Sequence, residues 1–538
     1  MKLTKQDFKK KKFEEIAWYG NPVVYKMLPK KISDILKSHF RKKLFQTQKG
    51  YSLPFNDYGD DYYFKIIEDF ANENLYIKNN HYSKMIFGNK INDKEKVIKQ
   101  YLLRYFYPYA PRKEFSFIRS IFYSIGSKKK LIYPLNKNIA KILQKKNINV
   151  NIFQSTILWY FFIITFFFIG CKKIFSTLFK FNQKNNVKLN NNIYFLSLPK
   201  EALNIKDEKN NINENYFSFI YSYIEKNNLN INKINDSLKN FKEFSHNKIN
   251  FSFSKKFNIN FSITVRIKFI VWSFIIIFVA LFDIIRGRWW NPLMLREAVD
   301  RKIVELLDNE SLHKMYLFNN TSGFAYKPMW TYEAKIKGSI ILFYFYSLHY
   351  LPITKNIQKP EGASLVNWDN YAVWNKSHEK QLRNTFSHNF KTSCYKPVFF
   401  NTGFLNFNKP SYEFVTLFDV TPIRPIYRKT HHITEFYKTE NIIKFINDTI
   451  EISEKYNVKV ILKMKRFSSL TDKYYINYLN NQKVKKKLKV IDEKISSIDL
   501  IKKSKLILSY PLTSTNQLSN YFNVKNYYYC PVDININS

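Results

Sequence analysis

A proline turn followed by hydroxyl side chains is the part of the sequence best suited to chemistry. The apolar run at 505–510 has a strand pattern that ends at Pro511, and Thr513, Ser514 and Thr515 then open a helical pattern. Serine or threonine at a helix start leaves backbone N–H groups and the positive end of the helix dipole facing outwards, which favours a bound phosphate. The pattern predicts a nucleotide-phosphate site, with ordinary helix capping as the alternative.

Basic side chains end a neighbouring strand pattern. The stretch VKVILKMK at 458–465 is largely apolar until Lys463, and Lys465 and Arg466 follow. Ligands of open parallel sheets bind beyond the carboxyl ends of the strands, so these cations are expected to face the same phosphates. Asp419 ends the preceding strand pattern and is expected at the same edge. A solvated basic turn is the alternative interpretation of the three cations.

Motifs for metal or cofactor chemistry are missing from the sequence. It has no glycine-rich phosphate loop, no G-x-G-x-x-G and no H-E-x-x-H, and it contains only 11 glycines. Its three cysteines are widely spaced, which argues against a disulfide framework or a zinc cluster and favours a reducing compartment. The acidic pair Asp60–Asp61 lacks the spacing of carboxylates that hold a phosphate-bridging cation. We therefore predict no metal site and no cofactor.

Strand and helix patterns alternate clearly over residues 409–538, in four β–α repeats with short connections. A similar rhythm begins near Pro292 and includes the apolar runs at 313–320 and 339–347. Such alternation predicts an α/β fold, with a parallel sheet covered by helices on both faces. Residues 1–150 show mixed patterning with helical stretches.

Two apolar segments, at 157–171 and 269–285, indicate contact with a membrane. Both fall short of the about 20 residues that span a bilayer. If both crossed, the lysine-rich residues 172–268 would lie outside the cell, against the positive-inside tendency. An in-plane or re-entrant pair is therefore favoured. Buried core helices and a two-span hairpin are the alternatives, and hydropathy alone would place spans near 155–175 and 267–287. Six side chains are expected at headgroup level: Trp159, Trp272, Arg286, Arg288, Trp289 and Trp290.

The strongly basic composition indicates an anionic partner. The chain has 87 Lys and Arg against 42 Asp and Glu, a net charge of +45, which suits nucleic acid, acidic lipid or a phosphorylated substrate. A general bias towards lysine and asparagine is the alternative. No helix-turn-helix, zinc-finger or RNA-platform motif is present, so an anionic membrane surface is predicted and nucleic acid is not. The N-terminal MKLTKQDFKKKKFEE lacks the apolar stretch of a signal peptide, so the bulk of the chain is expected in the cytoplasm.

Five blocks of the sequence resemble a bacterial polysaccharide-biosynthesis family named after a Pro-Phe-Thr-Ser motif. The motif corresponds to YPLTSTNQL at 510–518, where Leu512 replaces the phenylalanine. The resemblance covers roughly residues 190–535, and the joint order of the blocks is more specific than any one of them. The other blocks are DIIRGRWWNPLMLREA at 283–298, YLFNNTSGFAYKPMWTYEAKIKGSIILFYFYS at 316–347, FDVTPIR at 418–424 and KMKR at 463–466.

The resemblance implies a role in the synthesis of capsule, O-antigen or a related surface glycan. It implies two Rossmann-like domains, as in GT-B glycosyltransferases. The sequence patterns add to this fold a helical N-terminal region and two hydrophobic membrane-associated helices. The donor is then a nucleotide-activated sugar and the acceptor a glycan or lipid-linked molecule, at the cytoplasmic face of the inner membrane. A non-catalytic assembly or scaffold protein that retains this fold is the alternative.

The resemblance also assigns roles to individual residues. The donor phosphates would bind the hydroxyl turn at 511–515 and the three cations at the end of the neighbouring strand, without a metal. Glu333, in the stretch WTYEA, is the candidate base for the acceptor hydroxyl. A helix-surface carboxylate that pairs with Lys335 or Lys337 is the alternative for Glu333. Asp419 is the second candidate base, or a ligand of the nucleotide ribose.

The domain boundaries expected from these patterns divide the chain into an N-terminal region, two membrane-associated segments and two Rossmann-like halves. The predicted ranges are 1–150 for the N-terminal region, 151–182 and 267–290 for the membrane-associated segments, 183–266 and 291–408 for the acceptor half, and 409–538 for the donor half.

Overall fold

The chain folds into two largely parallel α/β sheets, with long helices packed on the first. A computed structural model of the protein describes residues within the ranges 84–106, 132–179, 188–319, 326–345, 366–398, 407–422, 438–464, 471–491 and 495–529, with short gaps inside them. Two Rossmann-like sheets, helices that precede them and two long apolar helices confirm the fold class predicted from the sequence.

The helices and strands are numbered in chain order within the described ranges. The helices are α1 (Lys84–Phe87), α2 (Lys94–Phe106), α3 (Lys137–Lys145), α4 (Ile152–Leu178), α5 (Glu214–Lys226), α6 (Ile263–Ile285), α7 (Trp290–Leu306), α8 (Trp330–Ile336), α9 (Lys376–Thr385), α10 (Thr439–Lys455), α11 (Lys473–Asn480), α12 (Gln482–Lys487), α13 (Ser497–Lys503) and α14 (Thr515–Tyr521). The strands are β1 (Asn192–Phe195), β2 (Leu203–Asn204), β3 (Asn211–Ile212), β4 (Lys233–Asp236), β5 (Phe244–His246), β6 (Ile249–Phe253), β7 (Met315–Asn319), β8 (Ile340–Tyr344), β9 (Asn370–Val373), β10 (Lys391–Cys394), β11 (Phe414–Phe418), β12 (Lys459–Lys463), β13 (Leu488–Val490), β14 (Leu506–Ser509) and β15 (Asn526–Tyr528).

The N-terminal sheet has the strand order β10-β9-β8-β7-β1-β4-β6-β5. Its neighbours are parallel except for β5 and β6, and β2 pairs with β3 in a separate antiparallel ladder. β7 and β8 coincide with the apolar runs at 313–320 and 339–347, because strands covered on both faces need a continuous run of apolar side chains. β7 is buried along its whole length.

The C-terminal sheet has the order β13-β12-β11-β14-β15, and all its neighbours are parallel. β11, β12 and β14 lie where the strand patterns predict them. β13 was not predicted, because it is a three-residue edge strand that follows directly on the lysine-rich α12. The α/β alternation therefore places the carboxyl ends of β11, β12 and β14 side by side.

The apolar helices α4 and α6 are longer than the apolar segments seen in the sequence. They contain 27 and 23 residues, because each begins at a polar N-cap, Asn151 or Ser262, outside the apolar run. By length and composition both are able to cross a membrane, so the expectation that they are too short is wrong. In each, 33% of the most apolar window is buried inside the protein.

Both apolar helices pack on α7. Gly170 allows α4 a close approach, since a Cβ at this position would overlap the side chain of Leu295. Asp300 on α7 pairs with Lys173 of α4 at 3.1 Å and with Lys256, just before α6, at 2.8 Å. Burial alone would raise the pKa of Asp300, but the charges of the two lysines lower it to about 2. The aspartate therefore remains ionised and connects α7 to α4 and to the segment that precedes α6.

The four tryptophans predicted at headgroup level are buried inside the protein. Trp159 packs edge-on against Trp289, with 5.6 Å between ring centroids, and Trp272 donates to the carbonyl of Met85 at 3.2 Å. These three indoles and that of Trp290 are each less than a tenth exposed. The structure therefore corrects the sequence prediction: the indoles hold α4 and α6 against the protein, and other apolar side chains form the outer surface.

The two arginines predicted beside these tryptophans do lie at the surface. Arg286 is exposed and covers the ring of Phe282 at 4.1 Å. Arg288 is partly exposed and lies 3.7 Å from the buried carboxylate of Asp283. Both cations follow directly on the carboxyl end of α6.

The pKa values of two buried histidines, His313 and His378, predict how the free energy of unfolding depends on pH. Burial lowers the pKa of His313 to about 4 and that of His378 to about 3, whereas an unfolded histidine titrates near 6.5. As the pH falls below 6.5, the unfolded chain takes up protons that the folded chain excludes, so stability decreases. We expect a loss of up to about 1.4 kcal/mol per pH unit for each histidine, between pH 6.5 and 5.

Urea unfolding at pH 7, 6 and 5 measures how the free energy of unfolding changes with pH. His378→Gln is expected to remove part of this pH dependence, because His313 and His388, whose pKa values burial also lowers, still titrate below their usual range. A midpoint that does not move between pH 7 and 5 would contradict the prediction.

Candidate functional site

The carboxyl edge of the C-terminal sheet brings together several of the residues singled out in the sequence. In the strand register, Phe418 of β11 lies opposite Lys463 of β12 and Ser509 of β14. Asp419 follows Phe418 directly, and Pro511 begins the turn after β14. The structure therefore places Asp419, Lys463 and the hydroxyl turn at one edge, as parallel strands require.

Asp419 is held in a buried hydrogen-bond network. Its side chain is 1% exposed and accepts hydrogen bonds from the hydroxyls of Tyr475, at 2.5 Å, and Thr421, at 3.1 Å. Burial, together with the charge of Asp419, raises the pKa of Tyr475 well above its usual value, so the phenol remains a donor. Sequence reasoning missed Tyr475, whose only signal is its position in the first turn of the helix after β12.

The backbone at this edge is strained. Thr421 has φ +41°, in the left-handed region that β-branched residues rarely adopt. Its hydroxyl contact with Asp419 holds this conformation. Such strain persists where the surrounding structure enforces it, and it occurs frequently at binding sites.

The hydroxyl turn is internally hydrogen-bonded. Thr513 is buried and its Oγ1 donates to the carbonyl of Tyr510 at 2.9 Å. Thr515 Oγ1 donates to Thr513 Oγ1 at 3.0 Å and lies 2.8 Å from Ser509 Oγ. Ser514 occupies the N-cap of α14 without a side-chain capping bond. Two of the three hydroxyls predicted to bind donor phosphates, those of Thr513 and Thr515, therefore stabilise the turn itself.

The predicted basic cluster is described only in part. Lys463 is 5% exposed and lies opposite Phe418, the residue before Asp419, in the register of the sheet. Lys465 and Arg466 lie outside the described residues. The placement of Lys463 therefore agrees with a cation at this edge, whereas the other two cations stay a prediction from the sequence.

Glu333 lies away from this edge, in a buried ion pair. Its Oε1 is 3.0 Å from Nη1 of Arg301, and neither residue is more than 2% exposed. Arg301 also donates to the carbonyls of Ile86 and Met85 and contacts Glu305 at 2.6 Å. Burial excludes the alternative of a helix-surface carboxylate that pairs with Lys335 or Lys337, and the ion pair with Arg301 argues against the predicted role of Glu333 as a base. Glu333 instead joins α8 to α7 and α1, which is a structural role.

Residues that follow the carboxyl ends of strands β9 and β14 join the two sheets. Asn375, just after β9, donates from Nδ2 to Oε1 of Gln517 in the first turn of α14, at 2.9 Å. Beside it, the Trp374 indole donates to the carbonyl of Phe345 at 2.7 Å and packs into the core of the C-terminal sheet. A cavity of about 410 Å³ opens at this junction. Its lining residues are Ser222, Lys226, Trp374, Cys394, Tyr395, Pro397 and Tyr521.

The sequence patterns did not identify this junction, since the residues on its two sides are more than 100 positions apart. Among the described residues, His, Cys, Asp and Glu side chains form no group of three or more that could hold a metal ion.

Comparison with known proteins assigns the family. Residues 272–537 match the family model for polysaccharide biosynthesis PFTS motif proteins. No curated protein matches the chain. Among solved structures, a putative UDP-N-acetylglucosamine 2-epimerase from Listeria monocytogenes is similar over 63% of this chain and 79% of that chain, with 9% identity and a TM-score of 0.31. Through residues 272–537, which include both Asp419 and the hydroxyl turn, the chain belongs to the polysaccharide biosynthesis PFTS motif family.

Proposed function

We propose that the protein transfers a sugar from a nucleotide-activated donor to a glycan or lipid-linked acceptor during surface polysaccharide synthesis. One observation carries the proposal: the hydrogen bond from Asn375 to Gln517 joins the carboxyl edges of two parallel sheets. Ligands of such sheets bind beyond these edges. Two edges joined in this way accommodate two substrates, which is what group transfer requires. Membership of a polysaccharide biosynthesis family supports the same role.

The C-terminal edge is the proposed donor side. Lys463, with Lys465 and Arg466 by sequence, is proposed to offset the charge of the leaving nucleotide phosphate. Backbone N–H groups of the turn at 511–515 are proposed to bind the same phosphates. Asp419 is the one proposed base at this edge. Its two hydrogen bonds must loosen before it accepts a proton, so its first role is to hold the turn that contains Thr421.

The cytoplasmic face of the inner membrane is the proposed location. Two apolar helices long enough to cross a membrane support membrane association. A lipid-linked acceptor would be presented at that surface. The high net positive charge of +45 suits an anionic lipid surface on the cytoplasmic side.

A non-catalytic assembly protein is the second candidate. The observation that favours it is the internal hydrogen bonding of the proposed site, where Asp419, Thr513 and Thr515 all bond to other protein groups. A protein that retained this fold only to bind other glycan-synthesis proteins would not need these side chains to be available to a donor. Donor binding separates the two candidates.

We expect a nucleotide-sugar donor to raise the unfolding temperature of the full chain. A ligand at ten times its Kd stabilises by about 1.4 kcal/mol, which corresponds to roughly a few degrees. The measurement is a thermal-shift panel of UDP-, GDP-, CMP- and dTDP-sugars at millimolar concentration. No shift with any donor would rule out transfer and leave the assembly role.

The double variant Thr513→Ala/Ser514→Ala is expected to lose that shift and to abolish glycan display in the source cell. Thr449→Ala/Ser453→Ala is the matched control, since it removes two buried hydroxyl groups from α10 in the same half of the chain. If glycan display survived the first double variant, the turn would not be the donor site.

A further inference from the structure

The outer sides of α4 and α6 form a continuous apolar surface. On α6, Phe274 and Phe278 are 62% and 67% exposed, and neighbouring side chains at helical spacing extend the stripe along both helices. Apolar patches of this length are rare on soluble monomers. The exposed side chains are Phe153, Ile157, Tyr160, Phe161, Phe168, Phe175 and Phe179 on or just after α4, and Ile263, Ile267, Ile270, Val271, Phe274, Ile275, Phe278, Leu281, Phe282 and Ile285 on α6.

The two helices run antiparallel along this surface. The Tyr160 hydroxyl, in the first half of α4, lies 3.6 Å from the position of a Cβ on Gly287, just after α6. At the other end, Lys173 of α4 and Lys256, shortly before α6, share Asp300. The two exposed stripes therefore lie side by side and form one face.

The inner sides of both helices pack against the protein along most of their length. Buried side chains recur from Ser155 to Thr177 on α4 and from Phe269 to Asp283 on α6. Their main support is α7, which carries six charged side chains: Arg296, Glu297, Asp300, Arg301, Lys302 and Glu305.

A bilayer-spanning pair would carry α7 into the hydrocarbon. Each charged residue at the centre of a bilayer costs at least about 2.5 kcal/mol, and Arg301 and Glu333 also tie α7 to α8 and to the N-terminal sheet domain. Separation of α4 from α7 would instead break the Gly170 contact and the Asp300 pairs. A bilayer-spanning pair therefore either places the charged α7 in the hydrocarbon or loses the packing of α4 on α7.

Cations border the apolar face. Lys172 and Lys268 are exposed near the end of α4 and the start of α6, and Arg286 is exposed at the other end of α6. Each such cation near an anionic membrane contributes about 1 kcal/mol of attraction. The charge pattern is complementary to acidic lipid headgroups around an inserted apolar face.

We propose that α4 and α6 lie in the plane of one leaflet of an anionic membrane and do not cross it. The apolar face reaches roughly 5–10 Å into the boundary between headgroups and acyl chains. Both sheets and the residues between the two helices then remain on the same side of the membrane. This inference rests on the helix packing alone, so it stands or falls independently of sugar transfer.

The test is a depth profile of the full chain on vesicles of phosphatidylglycerol and phosphatidylethanolamine. Spin labels are attached to single cysteines introduced at Ile267, Phe274 and Leu281, after replacement of the buried Cys171 by alanine and of Cys394 and Cys530 by serine. An in-plane helix places the three labels at equal, shallow depths. A spanning helix separates the first and third labels by about 21 Å along the membrane normal, and that result would overturn the proposal.

Flotation with the same vesicles supplies the energetic test. Phe274→Glu/Phe278→Glu is expected to reduce membrane binding at least tenfold, because it places two carboxylates on the inserted face. Ile452→Glu/Tyr456→Glu, at exposed apolar positions at the end of α10, is expected to bind as the unmodified chain does. Equal binding of both double variants, or no binding of the unmodified chain, would also overturn the proposal. A chain that binds vesicles in plane without a nucleotide-sugar shift retains this inference and loses the proposed transfer.

Discussion

Replacement of Glu333 by leucine is expected to destabilise the protein by about 3–5 kcal/mol, because it removes the buried carboxylate partner of Arg301 and leaves this arginine paired with the partly exposed Glu305. Both side chains are almost fully buried, and their contact at 3.0 Å joins α7 to α8. The same arginine holds two carbonyls of α1. Loss of the carboxylate therefore affects three helices together. Urea unfolding of the purified chain measures the change.

Two further variants separate a structural role of Glu333 from a catalytic one. Glu305→Leu removes another carboxylate from the same arginine, but its side chain is 34% exposed, so we expect a loss of no more than about 1 kcal/mol. Arg301→Met/Glu333→Leu is expected to be more stable than Glu333→Leu alone, because the buried charge is gone. If Glu333→Leu were as stable as the unmodified chain and only lost activity, the carboxylate would be a base after all.

The case of Glu333 illustrates which part of the fold the sequence determines locally. Strands such as β7 and β8 were predictable, because a continuous apolar run within an α/β alternation has few other solutions. The partner of Glu333 was not predictable, because Arg301 lies 32 residues away on another helix. In the sequence, a carboxylate in WTYEA beside two lysines resembles any surface residue. Only the tertiary packing determines that it is buried.

The packing of the two apolar helices was also not predictable from the sequence, for a different reason. Their apolar runs predicted surface-seeking segments, and the tryptophans were taken as the membrane-facing residues because indoles favour headgroup regions. Helical periodicity, however, places Trp159 and Trp272 on the inner faces with the other large buried rings, and leaves Phe and Ile outside. When nearly every side chain is apolar, composition does not reveal which face packs on the protein.

The sequence predicts which sheet edge contains the candidate site, but not the side-chain contacts within it. Asp419, Lys463 and the hydroxyl turn each follow a strand pattern, and parallel strands bring such positions together. The hydrogen bonds that occupy Thr513 and Thr515 and the contact between Asn375 and Gln517 depend on side-chain rotamers and on the relative position of two sheets. Neither leaves a periodic signal in the sequence.

Lys463→Met is expected to reduce sugar transfer roughly 100- to 1,000-fold, on the basis of the proposed donor site. Loss of a single preorganised charge or donor that stabilises developing negative charge typically has this effect. Lys463 is nearly buried at the carboxyl end of β12, opposite Phe418 of β11, so its charge acts with little screening by solvent. Methionine preserves most of the volume of the aliphatic chain. The measurement is glycan display in the source cell, together with donor-induced thermal shift.

Lys459→Met provides the matched control, because Lys459 is exposed at the amino end of the same strand. It alters the same residue type in the same element, away from the proposed site, and is expected to leave both measurements unchanged. Lys463→Arg retains the charge with a different geometry and is expected to keep part of the activity. Full activity of Lys463→Met with a normal unfolding temperature would show that this edge does not hold the leaving group. Equal losses of sugar transfer in Lys459→Met and Lys463→Met would instead indicate a general effect of removing one positive charge. The difference in sugar transfer between the two variants therefore measures the effect of the position of Lys463.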